Sequence, residues 1–348
     1  MTTADLQSTQ ESIVVPGTRA GSGLEAWRLA WPTIVGQLAT TVMWTVDTAL
    51  LGQVGKVELA AAGFGGVLIF TFYSFFIGLV TAVNTFVSQA KGGDRPDEAG
   101  VFAWQGLWLS LVGTVFLLVA LWQFDAILAL ARPDPEVITE SLRYSRARLA
   151  ACFFVMGTFT LQGFFRGIGD VRTPMVVSVI ANGVNIVLDL VLIFGLGPIP
   201  RLTALGAGIA TAGAQTVGFV ILFVLFLRPQ LRVVYNTARS WRIHWPSMVR
   251  LWRVGWPMGL QFFGDMGAFA IFMSLMGRLG TNQLAASQIA IQALAFSFMP
   301  ASGVARSATT LVGQYLGAGK PALAEQCGWV TLRMILIYTL GVGVCLFV

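Results

Sequence analysis

The feature that most limits what this chain can fold into is a spacing. Apolar blocks of about twenty residues recur along it between short polar stretches, which is the length a helix needs to cross the hydrocarbon core of a bilayer. With 56% of its 348 residues apolar and only 11% charged, the chain has too little polar surface for a soluble domain. An all-α polytopic membrane protein is expected. Nine spans are read, at residues 25–52, 59–90, 99–123, 141–167, 172–195, 204–228, 248–277, 283–316 and 325–348. Residues 1–24 are polar, carry Asp5 and Glu11 and hold no short apolar core, so no cleavable signal is visible and they read as a flexible cytoplasmic tail.

The net charge of +6 excludes nucleic-acid binding as an explanation, because the Lys and Arg residues are scattered over loops rather than clustered. Lipid headgroups and orientation signals fit that scatter better. Arg19, Arg28, Lys91, Arg95, Arg166, Arg172 and the run from Arg228 to Arg253 fall on the side of the N-terminus; Lys56, Arg132, Arg143, Arg146, Arg148, Arg201 and Arg278 fall on the other. The bias favours a cytoplasmic N-terminus in a cell inner (plasma) membrane. Cys152, Cys327 and Cys345 form no CxxC pair, and His244, in a polar loop, is the single histidine. Neither a disulfide framework, nor a metal site, nor a histidine-based triad is supported, so no enzyme and no cofactor are expected.

A shift of 225 residues aligns 31–99 with 256–324 without a gap, and 15 of 69 positions are identical. Trp31 and Pro32 recur as Trp256 and Pro257, Gly78 as Gly303, Gln89 as Gln314, and Pro96 as Pro321. Six spans separate the copies, so both have one orientation, and two pseudo-symmetric bundles about an axis along the membrane normal follow. Residues 25–230 (spans one to six) read as one lobe, 231–247 as a cytoplasmic linker, and 248–348 as a partial second lobe of three spans. A complete pair would take about 450 residues, so a chain truncated after its ninth helix is expected.

Ionisable groups inside spans are functional candidates, because each costs a few kcal/mol or more at mid-bilayer. Asp47 lies five residues before Gly52 and Asp189 six before Gly195, so at about 1.5 Å per residue both carboxylates sit at one depth, some 8 Å below the outer surface. Thr211 reaches the same layer from the sixth span, and Asn185 shares the face of Asp189, four residues away. These four supply oxygen ligands for a proton or a hard cation such as Na⁺. Two neighbouring carboxylates in low dielectric resist double ionisation, which suits one of them to carry a proton. Trp44, three residues before Asp47, offers an aromatic surface for an organic cation. Gln261 and Asp265, one turn apart near mid-bilayer in the seventh span, are read as cleft-facing; Arg306 is read as structural.

The segments "VDTALLGQVGKVELAAAG", the NxxxD of the fifth span, "GDVRTP", "GAGIAT" and "TTLVGQYLGAGKP" resemble the multidrug and toxic compound extrusion (MATE) family from about residue 25 onward. The resemblance implies two lobes around a cleft and export of cationic or amphipathic small molecules against inward H⁺ or Na⁺. It carries the family's ion site onto Asp47, Asn185, Asp189 and Thr211, and a seventh-span acid onto Asp265. A related two-bundle flippase for lipid-linked saccharides would call for a cationic cleft instead, and a transporter fragment without activity is the remaining alternative.

Overall fold

The computed structural model describes residues 18–120, 122, 135–195, 200–279 and 281–347. Most of the expected tail and Arg132 lie outside them. Eleven helices form within these residues: α1 (Gly23–Val54), α2 (Lys56–Gly92), α3 (Pro96–Ala120), α4 (Pro135–Ala150), α5 (Cys152–Gly167), α6 (Arg172–Phe194), α7 (Thr203–Phe226), α8 (Pro229–Tyr235), α9 (Trp245–Leu279), α10 (Thr281–Gly317) and α11 (Pro321–Phe347).

Eleven helices form where nine spans are expected. Two places account for the difference. The expected fourth span breaks at Ala151 into α4 and α5, bent by 49°, because α4 carries Arg143, Arg146 and Arg148 and cannot follow the apolar α5 along one axis through hydrocarbon. The expected linker contains α8, opened by Pro229, whose fixed φ suits a first helical position. By length and composition α1, α2, α3, α6, α7 and α11 can each cross a membrane, and the bent pair, taken as one span, is long and apolar enough to be a seventh. The expected seventh and eighth spans form α9 and α10, of 35 and 37 residues, which contain Pro257 and Pro300.

The internal repeat is visible as paired contacts. A Cβ added to Gly78 of α2 would lie 2.7 Å from the Gly259 Cα of α9, and one added to Gly303 of α10 would lie 3.0 Å from the Ile34 Cα of α1. These pairs exchange under the 225-residue shift. So do Gly92 against the Gln314 carbonyl and Gly317 against the Gln89 carbonyl, where α2 and α10 cross with backbone touching backbone. Only glycine permits that approach. α9 accordingly packs along α2 as α10 packs along α1, which is the arrangement of two parallel, pseudo-symmetric bundles.

The end of the molecule where α1 begins is bound together across the repeats. Ser22 caps α1 by accepting from the Glu25 amide, and Glu25 reaches back to the Gly21 amide at 2.9 Å. The Tyr315 hydroxyl of α10 lies 3.0 Å from both oxygens of this fully buried glutamate. Nearby, the Gln314 side chain donates to the Gly167 carbonyl at 2.9 Å and the Thr310 hydroxyl to Asn84 Oδ1 at 3.2 Å. An apolar core of Phe86, Phe102, Phe164, Phe165 and Phe226 fills the space between α2, α3, α5 and α7. The stretch between α8 and α9 is held to α3, where Trp104 donates to the Thr237 carbonyl, Trp108 to that of Trp241 and Gln105 to that of Arg242.

Candidate functional site

Small residues bring the polar groups together. The "GAGIAT" opening of α7 presses its backbone into both neighbours: a Cβ at Gly206 would meet the Leu192 carbonyl of α6 at 2.7 Å, and one at Gly208 the Tyr144 carbonyl of α4 at 2.9 Å. From the Gly206–Leu192 approach Thr211 lies five residues on along α7 and Asp189 three residues back along α6, so the antiparallel pair carries both toward one layer. α6 is fixed at both ends. Asp170 accepts from the Thr173 amide (3.0 Å) and hydroxyl (2.6 Å) at its start, and Gly195, at φ 72°, closes it with its amide on the Val191 carbonyl.

The structure brings Asp47, Asp189 and Thr211 into contact: the Asp47 carboxyl lies against Asp189 and against Thr211. Asn185 and Asp189 are fully buried and Thr211 is 3% exposed. The Thr211 hydroxyl gives its proton to the Ala207 carbonyl at 2.9 Å, which turns its lone pairs toward the acids. Both Asp189 oxygens, Asp47 Oδ1 and both polar atoms of Asn185 are buried with no protein partner. The chamber therefore holds more acceptors than donors, two carboxylates in contact, with the Asn185 Nδ2 as the unpaired donor beside them. Among the described residues no three His, Cys, Asp or Glu side chains converge, so the charge to be balanced is that of two acids. The donor set suits a proton or a hard monovalent cation.

Trp44 is 43% exposed and meets Phe70 edge-on at 5.5 Å; Phe70 in turn meets Phe262 of α9 at 6.1 Å. An aromatic line thus runs from beside the acids to the second repeat. Gln261 and Asp265 are exposed positions on α9, and the structure does not join them to the acid chamber. Sequence reasoning missed Arg148, which had been counted among outer-loop charges. It is half-buried, within electrostatic reach of Asp47, bonded to the Tyr144 hydroxyl at 3.0 Å, and its carbonyl accepts from the Tyr73 hydroxyl at 2.8 Å. The Tyr144–Arg148 spacing of one helical turn is the signal that could have found it.

Membrane-length helices doubled about a pseudo-twofold axis, with a dry ionisable chamber inside one bundle, define a polytopic membrane transporter rather than an enzyme. The MatE family profile matches residues 32–191 and 257–348, and the chain belongs to that family. It is 30% identical to the probable multidrug resistance protein NorM of Brucella suis biovar 1 (strain 1330) over 91% of this chain and 67% of that protein. It is likewise 30% identical to the probable multidrug resistance protein NorM of Bradyrhizobium diazoefficiens over 99% of this chain and 74% of that one. In fold it is similar to a MOP superfamily transporter from Pyrococcus furiosus Vc1 (DSM3638), with a TM-score of 0.84 and 22% identity over 98% of this chain and 73% of that one.

Proposed function

We propose that the protein exports cationic or amphipathic small molecules by antiport with H⁺ or Na⁺, and that Asp47, Asn185, Asp189 and Thr211 bind the coupling ion. The observation that carries this reading is the surplus of buried acceptors contributed by α1, α6 and α7. An acid pair in a dry site is stable only with a positive charge between its members, so it takes up and releases one readily as its surroundings change. Trp44, Gln261 and Asp265 line the path of the cargo, whose positive charge Asp265 complements and whose rings Trp44 and Phe70 accept. Residues 25–230 and 248–348 act as two lobes in a bacterial inner membrane, with the N-terminus inside, and rock about the cleft between them.

Rocking requires the bonds of Tyr315, Gln314 and Thr310 across the lobes to part. At about 1 kcal/mol net for each neutral hydrogen bond and about 1.5–3 for those to Glu25, their sum is a few kcal/mol. That is within what a ligand preferring one state can shift. Export of a fluorescent organic cation from proteoliposomes, with a Na⁺ gradient and a pH gradient imposed separately, tests the reading. One gradient should drive export in the native chain, and Asp189→Asn and Asp47→Asn should reduce it to the rate of empty vesicles. Undiminished export by both variants would remove the ion-binding role. Transport of a lipid-linked saccharide in place of the cation would assign the chain to flippases.

A further inference from the structure

A second polar chamber begins one helical turn beyond the first, toward the end where α1 starts. It is a cavity of about 100 Å³ between α1, α5, α6 and α7, lined by Gln37, Gln162, Arg166, Ser178, Asn182 and Gln215 among others. No aspartate or glutamate lines it. Arg166 is 6% exposed and its Nε has no partner; the Asn182 Nδ2, buried in the same cavity, has none either. The bond of the Arg166 guanidinium to Gln162 Oε1 is 3.4 Å long, as is that of Gln162 to Ser178, close to the limit of a hydrogen bond.

We infer that Arg166 and Asn182 form a binding site for a carboxylate. Three observations support this. First, the imbalance is one of donors: the buried groups left over are the N–H groups of Arg166 and Asn182 and the Thr158 hydroxyl, which can also donate, so an acceptor satisfies all three. Second, the charge within electrostatic reach of Arg166 is another cation, Arg306 of α10, and no counter-ion faces it among the described residues. Third, the end of α5 does not supply acceptors for Arg166. The Gly167 carbonyl is taken by Gln314, and that of Ile168 by Lys91 Nζ at 2.5 Å. A buried guanidinium left in this state is costly, and a planar oxyanion matches its parallel N–H groups. The cavity has room for several water-sized bodies, at roughly 30 Å³ of liquid per water, which admits an acetate-sized group but not a large headgroup. The carboxylate belongs either to a free small acid or to the acidic arm of a zwitterionic cargo. The inference does not rest on the coupling-ion reading of the upper chamber.

Equilibrium binding of radiolabelled acetate to the purified full chain in detergent tests it. Saturable binding of about one acetate per chain is expected in the native protein. Arg166→Gln should weaken it by at least about tenfold, the contribution of one charge-assisted bond. Asn182→Asp, which gives Arg166 an internal carboxylate, should abolish binding while the chain elutes as a single folded species. Displacement of acetate by an amine-bearing aromatic acid but not by its methyl ester would support the site and name the cargo's carboxylate as occupant. Displacement by acetate and propionate alone would support it and name a free acid. No saturable binding in the native chain, or undiminished binding in Asn182→Asp, overturns the inference.

Discussion

Two chambers, stacked along the same pair of helices, hold opposite kinds of unfinished chemistry. The upper one joins Asp47 of α1 and Asn185 and Asp189 of α6 to Thr211 of α7, and its leftover atoms are mostly acceptors. The lower one joins Gln37 of α1 and Asn182 of α6 to Arg166 of α5, and its leftover atoms are two N–H donors and the Thr158 hydroxyl. Residues 37, 40, 44 and 47 fall on one face of α1, as do 182, 185 and 189 on α6, at helical spacing of three and four. The two shared helices thus provide a continuous polar stripe. The shared helices set the sign of the upper chamber through Asp47 and Asp189, and the third helix sets that of the lower through Arg166 of α5. A stripe of amides, hydroxyls and acids is therefore not one site but a track whose unpaired groups change from mostly acceptors to mostly donors within about one turn.

The contrast can be broken most strongly at Asp189. In Asp189→Leu, export driven by either gradient is expected to fall to background, while removal of a buried carboxylate that lacks a donor raises thermal stability by about 1–4 kcal/mol. A lower melting temperature, followed by tryptophan fluorescence, would mean that the acid already has its partner within the protein. Next, Gly208→Ala puts a methyl against the Tyr144 carbonyl and Ala147 and spreads α7 from α4. A stability loss of about 1–3 kcal/mol is expected from such overpacking, with export reduced and acetate binding kept within about twofold, since Arg166 and Asn182 lie on other helices. A parallel loss of acetate binding would make the two chambers one. In Thr211→Val an oxygen in contact with Asp47 is lost, and the apparent affinity for the coupling ion in gradient-driven export should drop three- to tenfold, about 1 kcal/mol. The smallest effect belongs to Trp44→Leu. Loss of its edge contact with Phe70 should cost about 0.5–1.5 kcal/mol, read as a higher half-saturating concentration for aromatic cations and little change for aliphatic ones.

Much of this arrangement is legible in the sequence, and the parts that are not share a cause. The recurrence of Gly78 as Gly303 and Gly92 as Gly317 foretells the paired helix contacts, because a backbone approach leaves only hydrogen as an acceptable side chain. Counting residues from Gly52 and Gly195 put Asp47 and Asp189 at one depth, and the two carboxylates meet. Arg148 and Arg166 were misread because a cation near the end of an apolar block is normally assigned to the interface, where it reaches water. Whether it does depends on the bend at Ala151 in one case. In the other it depends on Gln314 and Lys91, 147 and 77 residues away, having already claimed the carbonyls that Arg166 would otherwise use. Local periodicity carries no information about such distant competitors.

The crossing of α2 and α10 has a mechanical consequence. Where Gly92 rests on the Gln314 carbonyl and Gly317 on that of Gln89, the two repeats touch main chain to main chain. One added methyl at either glycine acts as a wedge, and its twin half a pseudo-turn away doubles the thrust. The seam between the two repeats thus depends on two residues, Gly92 and Gly317, that carry no side chain at all.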